Sequence, residues 1–420
     1  MNLVEKILAR ASGRRSVEPG EVIVADVDLM LLHDLSAAFV SRVFREELPG
    51  TKLRYPDRVG IVFDHTFSPP TERSAERLDG IRRFAKEHGI THLFDSGSGS
   101  MHHVILESGL WAPGQVIIGC DSHTTVYGAF GAFSTGVGND SMAALGFAEG
   151  KAWFRVPERM LVRVDGKTQR HVTARDVSQF LVGSLGEDGA VYKAVEYAGS
   201  YIEGLSIEDR LLFPLMAIDV GAKAGYIDPD NATLDYARRT SKRSFEPLRN
   251  DPDVSSESVL DIDASKVEPQ VAVPPLLSNV VPVTEMEGTA IQLAEIGGST
   301  GGRFCDLEVA AERLSGKHVH GEVRLQIVPA TRSIYRRALE EGLLTTLLDA
   351  GATIFPPSAG SNQAVNMGAM ASDEAMISTQ ARNFPGRNGS PNARHYLSSA
   401  ETVAVSALEG RITDPRRAGR

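Results

Sequence analysis

Short apolar runs of strand character alternate with stretches of helical period along the whole chain, and few architectures other than a layered α/β protein accommodate such alternation. Val22–Val27, Val59–Phe63, Val116–Gly119, Met160–Val164 and Val323–Val328 read as strands. Glu72–His88 reads as a helix, because Ala75, Leu78, Ile81, Phe84 and Ala85 share one face and Gly89 suits the left-handed residue that follows a helix. Asp306–Leu314 and Arg332–Leu348 have the same period, and the opening MNLVEKILARASGRRS is an amphipathic helical pattern. Arg249–Glu257 and the closing ITDPRRAGR have no apolar period and read as a surface loop and a frayed tail.

At 420 residues the chain has room for several domains and an ample core. Its net charge of −10 argues against nucleic acid as a partner. No window approaches eighteen apolar residues and no secretory leader is visible, so the expectation is a cytoplasmic protein that does not enter a membrane. Only two cysteines, Cys120 and Cys305, occur. A disulfide scaffold is excluded, as is any cluster that needs three thiolates from this chain.

Polar groups suited to chemistry gather in a few segments beside the apolar runs. Asp64-His65 reads as a loop after one strand, Met101-His102-His103 as the end of a loop before another apolar stretch, and Cys120-Asp121-Ser122-His123 as a loop at a further strand end. A carboxylate next to an imidazole can orient it as acid or base, and strand ends are where α/β enzymes hold reacting groups. Arg382 and Arg387, five apart on a glycine-containing loop, suit capture of carboxylates or phosphates. Gly297–Gly302 precedes Arg303 and a helix, where backbone N–H groups can meet an anion, with Ser299 adding a hydroxyl. Zinc held by His65, His102 and His123 is conceivable, and so is a Ser122–His102–Asp64 hydrolase, which no Gly-x-Ser-x-Gly elbow supports.

Read together, EKILARASGR, VDLMLLHD, VFDH, GSGSMHHVILESGL, GCDSHTTVYGAFGAFSTGVG, GAKAGYIDPD, IGGSTGGRFCDLE and ARNFPGRNG resemble the large subunit of the aconitase superfamily, above all the 3-isopropylmalate and homoaconitate dehydratases. The resemblance implies three similar α/β domains around a central cleft. Two would interleave in residues 1–285 and the third would occupy residues 286–420. It also implies a small swivel domain, expected to be absent from this chain and supplied as a separate subunit.

Carried over by position, the resemblance makes Asp64, His65, His102, Asp121 and His123 catalytic. It makes His33, Ser122, Glu196, Arg382 and Arg387 substrate-binding, and the loop argument adds Ser299 and Arg303. The family's three cluster cysteines are replaced by Ser299, Ala359 and Asn362. The expectation is therefore a lyase or isomerase acting on a small di- or tricarboxylate by acid–base catalysis, with no iron–sulfur cluster, no other cofactor and no metal. Two alternatives stand beside it: a metalloenzyme with a histidine-ligated metal in the same cleft, and a non-catalytic ligand-binding or partner subunit.

Overall fold

Five parallel strands form the first sheet of the computed structural model, which describes residues 1–138, 141–256 and 258–417, the side chains of 141 and 142 excepted. Their order is His92–Phe94, Val59–Val62, Leu29–His33, Val116–Gly119, Phe133–Gly136. Successive residues feed opposite cores. Met30, Leu32, Ile61 and Ile118 pack with helices Leu3–Ala11, Asp34–Glu46 and Glu72–His88, while Leu29, Leu31, Val62 and Ile117 pack toward the second sheet. A parallel sheet covered on both faces needs this continuous apolar character, which is why its strands show little polar alternation.

The second sheet is also parallel, in the order Ala224–Tyr226, Ala194–Ala198, Arg159–Asp165, Ser258–Asp263. The third contains a parallel run Arg394–Leu397, Ala375–Ser378, Leu293–Ile296, Arg324–Ile327, Thr353–Ile354. It extends back along the chain through the antiparallel strands Gln270–Ala272 and Val280–Pro282. A separate two-stranded antiparallel pair joins Val22–Asp26 to Lys151–Arg155.

Helix Glu72–His88 has the predicted bounds, with a Thr71 capping box and Gly89 left-handed at its end. Three readings need correction. Arg332–Leu348 is two helices, Arg332–Glu340 and Leu343–Asp349, because Gly342 between them is left-handed at φ +77°. Met101, His102 and His103 open a helix, Met101–Ser108, rather than lying in a loop. The tail is docked as far as Arg417: Ile412 and Asp414 are buried, and Arg416 pairs with Asp414 and Glu268. Residues 418–420 of that tail, and Glu257 of the loop that begins at Arg249, lie outside the described residues. The rest of that loop pins the N-terminal helix, with Asp251 paired to the Met1 amine and to Lys6.

Candidate active site

Most of the catalytic-type residues sit at or just beyond the C-terminal end of a parallel strand, where open α/β sheets leave a crevice for ligands, and His102 reaches it from the first turn of the helix Met101–Ser108. His33 ends Leu29–His33, Asp64 and His65 follow Val59–Val62, and Asp121 follows Val116–Gly119. From the third sheet, the loops after Leu293–Ile296, Thr353–Ile354 and Ala375–Ser378 face the same crevice. The Ala359 N–H donates to the Asp64 carbonyl at 2.9 Å, which fixes one of these loops directly on the first sheet.

Asp64 and His65 form a buried pair, Oδ1 to Nδ1 at 2.7 Å, and Asp64 Oδ2 accepts the Met101 N–H at 2.8 Å. Burial disfavours a charged His65, but the charge and hydrogen bond of Asp64, helped by Asp34 and Asp121, outweigh it and raise the imidazole to about 9. Asp64 is held below its ordinary value, since His65 outweighs the burial. The His33 ring lies 4.4 Å from that of His65, and burial together with His65 pushes its pKa down. His33 Nδ1 caps the helix Asp34–Glu46, so Nε2 faces the cleft, 3.9 Å from Asp121 Oδ2.

Asp121 organises the second group. Its Oδ1 lies 2.9 Å from His102 Nε2 and accepts the His123 N–H at 2.8 Å as cap of the 3₁₀ segment Ser122–Phe130. Those bonds outweigh burial and hold Asp121 well below the usual carboxylate range. His123 lies 3.7 Å from Asp121 Oδ1 and 3.8 Å from Asp219 Oδ2, and despite burial its pKa is raised by both carboxylates. Arg382 donates to Ser122 Oγ at 3.0 Å and to Asp219 Oδ1 at 3.3 Å. Arg387 donates to Asn362 Oδ1, whose Nδ2 lies 3.0 Å from His65 Nε2.

The cleft thus brings together His33, Asp64, His65, His102, Asp121, Ser122, His123, Arg382 and Arg387. It does not bring in three other predicted residues. Glu196 is held away from the cleft: its Oε2 accepts from Arg159, Tyr226 and Asn250 at 2.6–2.9 Å, in a network on the second sheet. Arg303 is buried and spent on Asp306, Asp209 and the Glu208 carbonyl. Its capping box with Asp306 occupies the helix N-terminus that an anion would need. Ser299 offers its carbonyl to His103 Nε2 at 3.2 Å, while a Cβ at Gly301 would meet Thr379 Oγ1, so this loop is packed against protein rather than open as an anion cradle. The hydrolase triad is not assembled, since Ser122 bonds Arg382, His102 bonds Asp121 and Asp64 bonds His65.

Sequence reasoning passed over Asp34, whose Oδ1 accepts the His65 N–H at 2.9 Å, and Asp219. Both were visible as carboxylates: Asp34 beside His33 at a strand end, and Asp219 alone in the apolar run Leu211–Val220, where a buried charge requires a partner. Tyr127 is fully buried 6.1 Å from the His102 ring, and its hydroxyl has no hydrogen-bond partner among the described residues.

Compared with known proteins, the sequence matches the aconitase family (aconitate hydratase) over residues 5–290 and 281–410. The chain belongs to the aconitase family. It is similar to a probable 3-isopropylmalate dehydratase large subunit of Methanothermobacter thermautotrophicus, 43% identical with 99% of each chain covered. A probable methanogen homoaconitase large subunit of the same organism is 43% identical, with 99% and 98% covered. A 3-isopropylmalate dehydratase large subunit of Aquifex aeolicus is 41% identical, with 99% and 97% covered. Membership makes the chain an enzyme of the hydro-lyase type rather than a non-catalytic descendant. Among the described residues no helix is long and apolar enough to cross a membrane.

The comparisons overturn the cofactor-free expectation. Relatives of this type normally carry an iron–sulfur cluster, and about 43% identity over the whole chain points to a cluster-dependent dehydratase. The side chains at the three expected ligand positions nevertheless do not fit a cluster held by thiolates. They are a hydroxyl, a methyl and a carboxamide, in Ser299, Ala359 and Asn362. Cys120 lies against the Gly138 carbonyl at 3.1 Å, and burial pushes the Cys305 thiol up.

His33, Asp34, Asp64 and His65 place ligand-type atoms within 4.8 Å of one another. There His65 Nδ1 and Asp64 Oδ1 are spent on each other and Asp34 Oδ1 on the His65 amide, so the group is a proton-sharing network. Among the described residues no such group includes His102 or His123, and the zinc triad is not assembled.

Proposed function

We propose that the chain is the large subunit of a hydro-lyase that removes water from, and adds it to, a small hydroxy-di- or tricarboxylate, working with a separate small chain. The observation that carries this reading is the pairing of Arg382 and Arg387 on one loop with the Asp64–His65 and Asp121–His102 pairs across the cleft. Guanidinium forks suit carboxylates, and two on one loop suit a substrate with at least two.

The chemistry asked of the imidazoles is proton transfer. Loss of water beside a carboxylate requires a proton to leave carbon and another to reach the departing hydroxyl. His65, held toward its cation by Asp64, is the acid for the hydroxyl, and a positioned acid is worth about 10²–10⁴-fold. His102 and His123 flank Asp121 and supply further donors to the substrate oxygens. Ser122, bonded to Arg382, and His33, whose Nε2 faces Asp121, are the further polar contacts offered to it. Addition of water in the opposite sense at the neighbouring carbon gives isomerisation of the hydroxyl position. The relatives are named for 3-isopropylmalate and homoaconitate, which both carry carboxylates on neighbouring carbons, and this is the class to assay first.

The test is steady-state kinetics of Arg382→Ala and Arg382→Lys on 3-isopropylmalate and related hydroxy-diacids. The alanine variant should raise KM at least about tenfold, with lysine intermediate, because a point charge replaces a bidentate fork. Wild-type KM in both variants would remove the carboxylate assignment.

A further inference from the structure

Away from the arginine loop, the strand pair Val22–Asp26 and Lys151–Arg155 turns the register partners Val24 and Trp153 toward solvent, 60% and 59% exposed. A lone exposed cross-strand pair is ordinary. Here it forms one wall of an open cavity of about 520 Å³, with Ile118, Val137, Leu145 and Phe154 completing the apolar lining. That is the size of a small-molecule site.

Lys223 is set into this apolar wall. Its ammonium stands 5.9 Å from the Phe154 ring centre and 5.8 Å from that of Tyr192. Among the described residues its one hydrogen bond is a long one, 3.5 Å to the Gly136 carbonyl. An ammonium has three hydrogens to give. No carboxylate of the described residues pairs with it, and burial alone shifts its pKa, downward. A cation so placed is short of an anion.

Two exposed charged residues of the lining set how many negative charges a ligand can bring. Lys151 is taken by Asp26 at 3.4 Å, whereas Glu149 is in no ion pair among the described residues. The cavity therefore offers one free positive charge inside and one negative charge at its mouth. That suits a single carboxylate and repels a second. The cleft, with two arginines, has the opposite preference.

We propose that this cavity is a second ligand site, for a monocarboxylate with an apolar tail. The carboxylate sits on Lys223, and the tail lies along Trp153, Val24 and Leu145. Its wall is shared with the catalytic loops, since a Cβ at Gly136 would lie 2.9 Å from the Asp121 carbonyl oxygen and 3.0 Å from Ser122 Cα.

Octanoate is the probe, titrated into the full chain with Trp153 as fluorescent reporter. The other tryptophan, Trp111, is fully buried against Phe130. Emission should change saturably. Lys223→Met should weaken binding at least about tenfold, the worth of a hydrogen bond to a charged group, while Lys223→Arg retains it. Octanol and the dicarboxylate suberate should each bind wild type at least about tenfold more weakly than octanoate. Malonate, a dicarboxylate with no hydroxyl to eliminate, should leave octanoate in place. Equal affinity in wild type and Lys223→Met, or for octanol and octanoate, overturns the site. Displacement by malonate would put octanoate in the cleft and overturn it as well. Loss of octanoate binding when a dehydratase small subunit is added would give this face to that chain, with the same consequence. Should Lys223→Met fail to fold, the octanol and suberate comparisons in wild type decide the matter.

Discussion

His103 and His65 show one imidazole chemistry driven in opposite directions by neighbours. His65 has two carboxylates at hand, whereas His103 donates only to the Ser299 carbonyl, and burial with the nearby Arg303 cation lowers its pKa to about 4. An unfolded histidine titrates near its ordinary value of 6.5, so as pH falls the unfolded chain binds this proton first. The neutral ring's contribution is complete above about 6.5 and is lost as pH falls toward 4, a span worth on the order of 3 kcal/mol. His103→Gln keeps an N–H for the carbonyl and cannot titrate. Urea unfolding of that variant between pH 6.5 and 4.5 should show a shallower fall in stability, by about one proton in slope. An unaltered slope would mean that His103 is charged in the folded protein. At this scale the sequence made the imidazoles of the cleft visible, because each stands beside a carboxylate or at a strand end. It did not make visible that Glu196 and Arg303 are consumed by Arg159, Tyr226, Asp209 and Asp306, partners brought together only by the fold.

Among the elements, the 3₁₀ segment Ser122–Phe130 carries the tightest constraint. It begins at Ser122 and His123 and ends against the strand Ala224–Tyr226, where the Gly128 carbonyl accepts the Ile227 N–H at 3.0 Å. A Cβ at Gly128 would lie 1.8 Å from the Gly225 carbonyl oxygen, backbone against backbone. Gly128→Ala should cost about 2–4 kcal/mol and, by lifting the segment, reduce turnover as well. Gly80, inside the helix Glu72–His88 with no atom within 4 Å of a built Cβ, is the contrasting site. There alanine should stabilise by about 0.5–1 kcal/mol and leave activity alone. Thermal denaturation of the pair checks both signs, and equal effects would show that the close approach at Gly128 is relieved by a backbone shift. The regular elements were legible where apolar period and caps agree, as in Val59–Val62 and Glu72–His88. Sequence period ran straight through Gly342, where a left-handed residue breaks the helix, and it could not anticipate 3₁₀ geometry in a run held by Asp121.

On the scale of the whole molecule, the cleft is assembled from loops of the first and third sheets, with Asp219 contributed by the 3₁₀ turn Ala217–Val220. What it holds is mainly donors. His65 and His123 are raised by carboxylates, and Arg382 and Arg387 are cations. The carboxylates Asp64 and Asp121 are committed to those imidazoles and held low, which makes them weak bases toward carbon. Removal of a proton from carbon therefore calls for a group from elsewhere. Relatives matched over 97–99% of their own length are named large subunits, which is consistent with a second chain supplying that base. The chain alone should bind malonate yet exchange no substrate C–H with D₂O. Addition of a dehydratase small subunit should raise exchange at least about 100-fold, the usual worth of a positioned base. Exchange by the isolated chain at the rate of the mixture would place the base within these residues. His33 would then be the first to replace, since burial and His65 keep it neutral and its Nε2 faces the cleft.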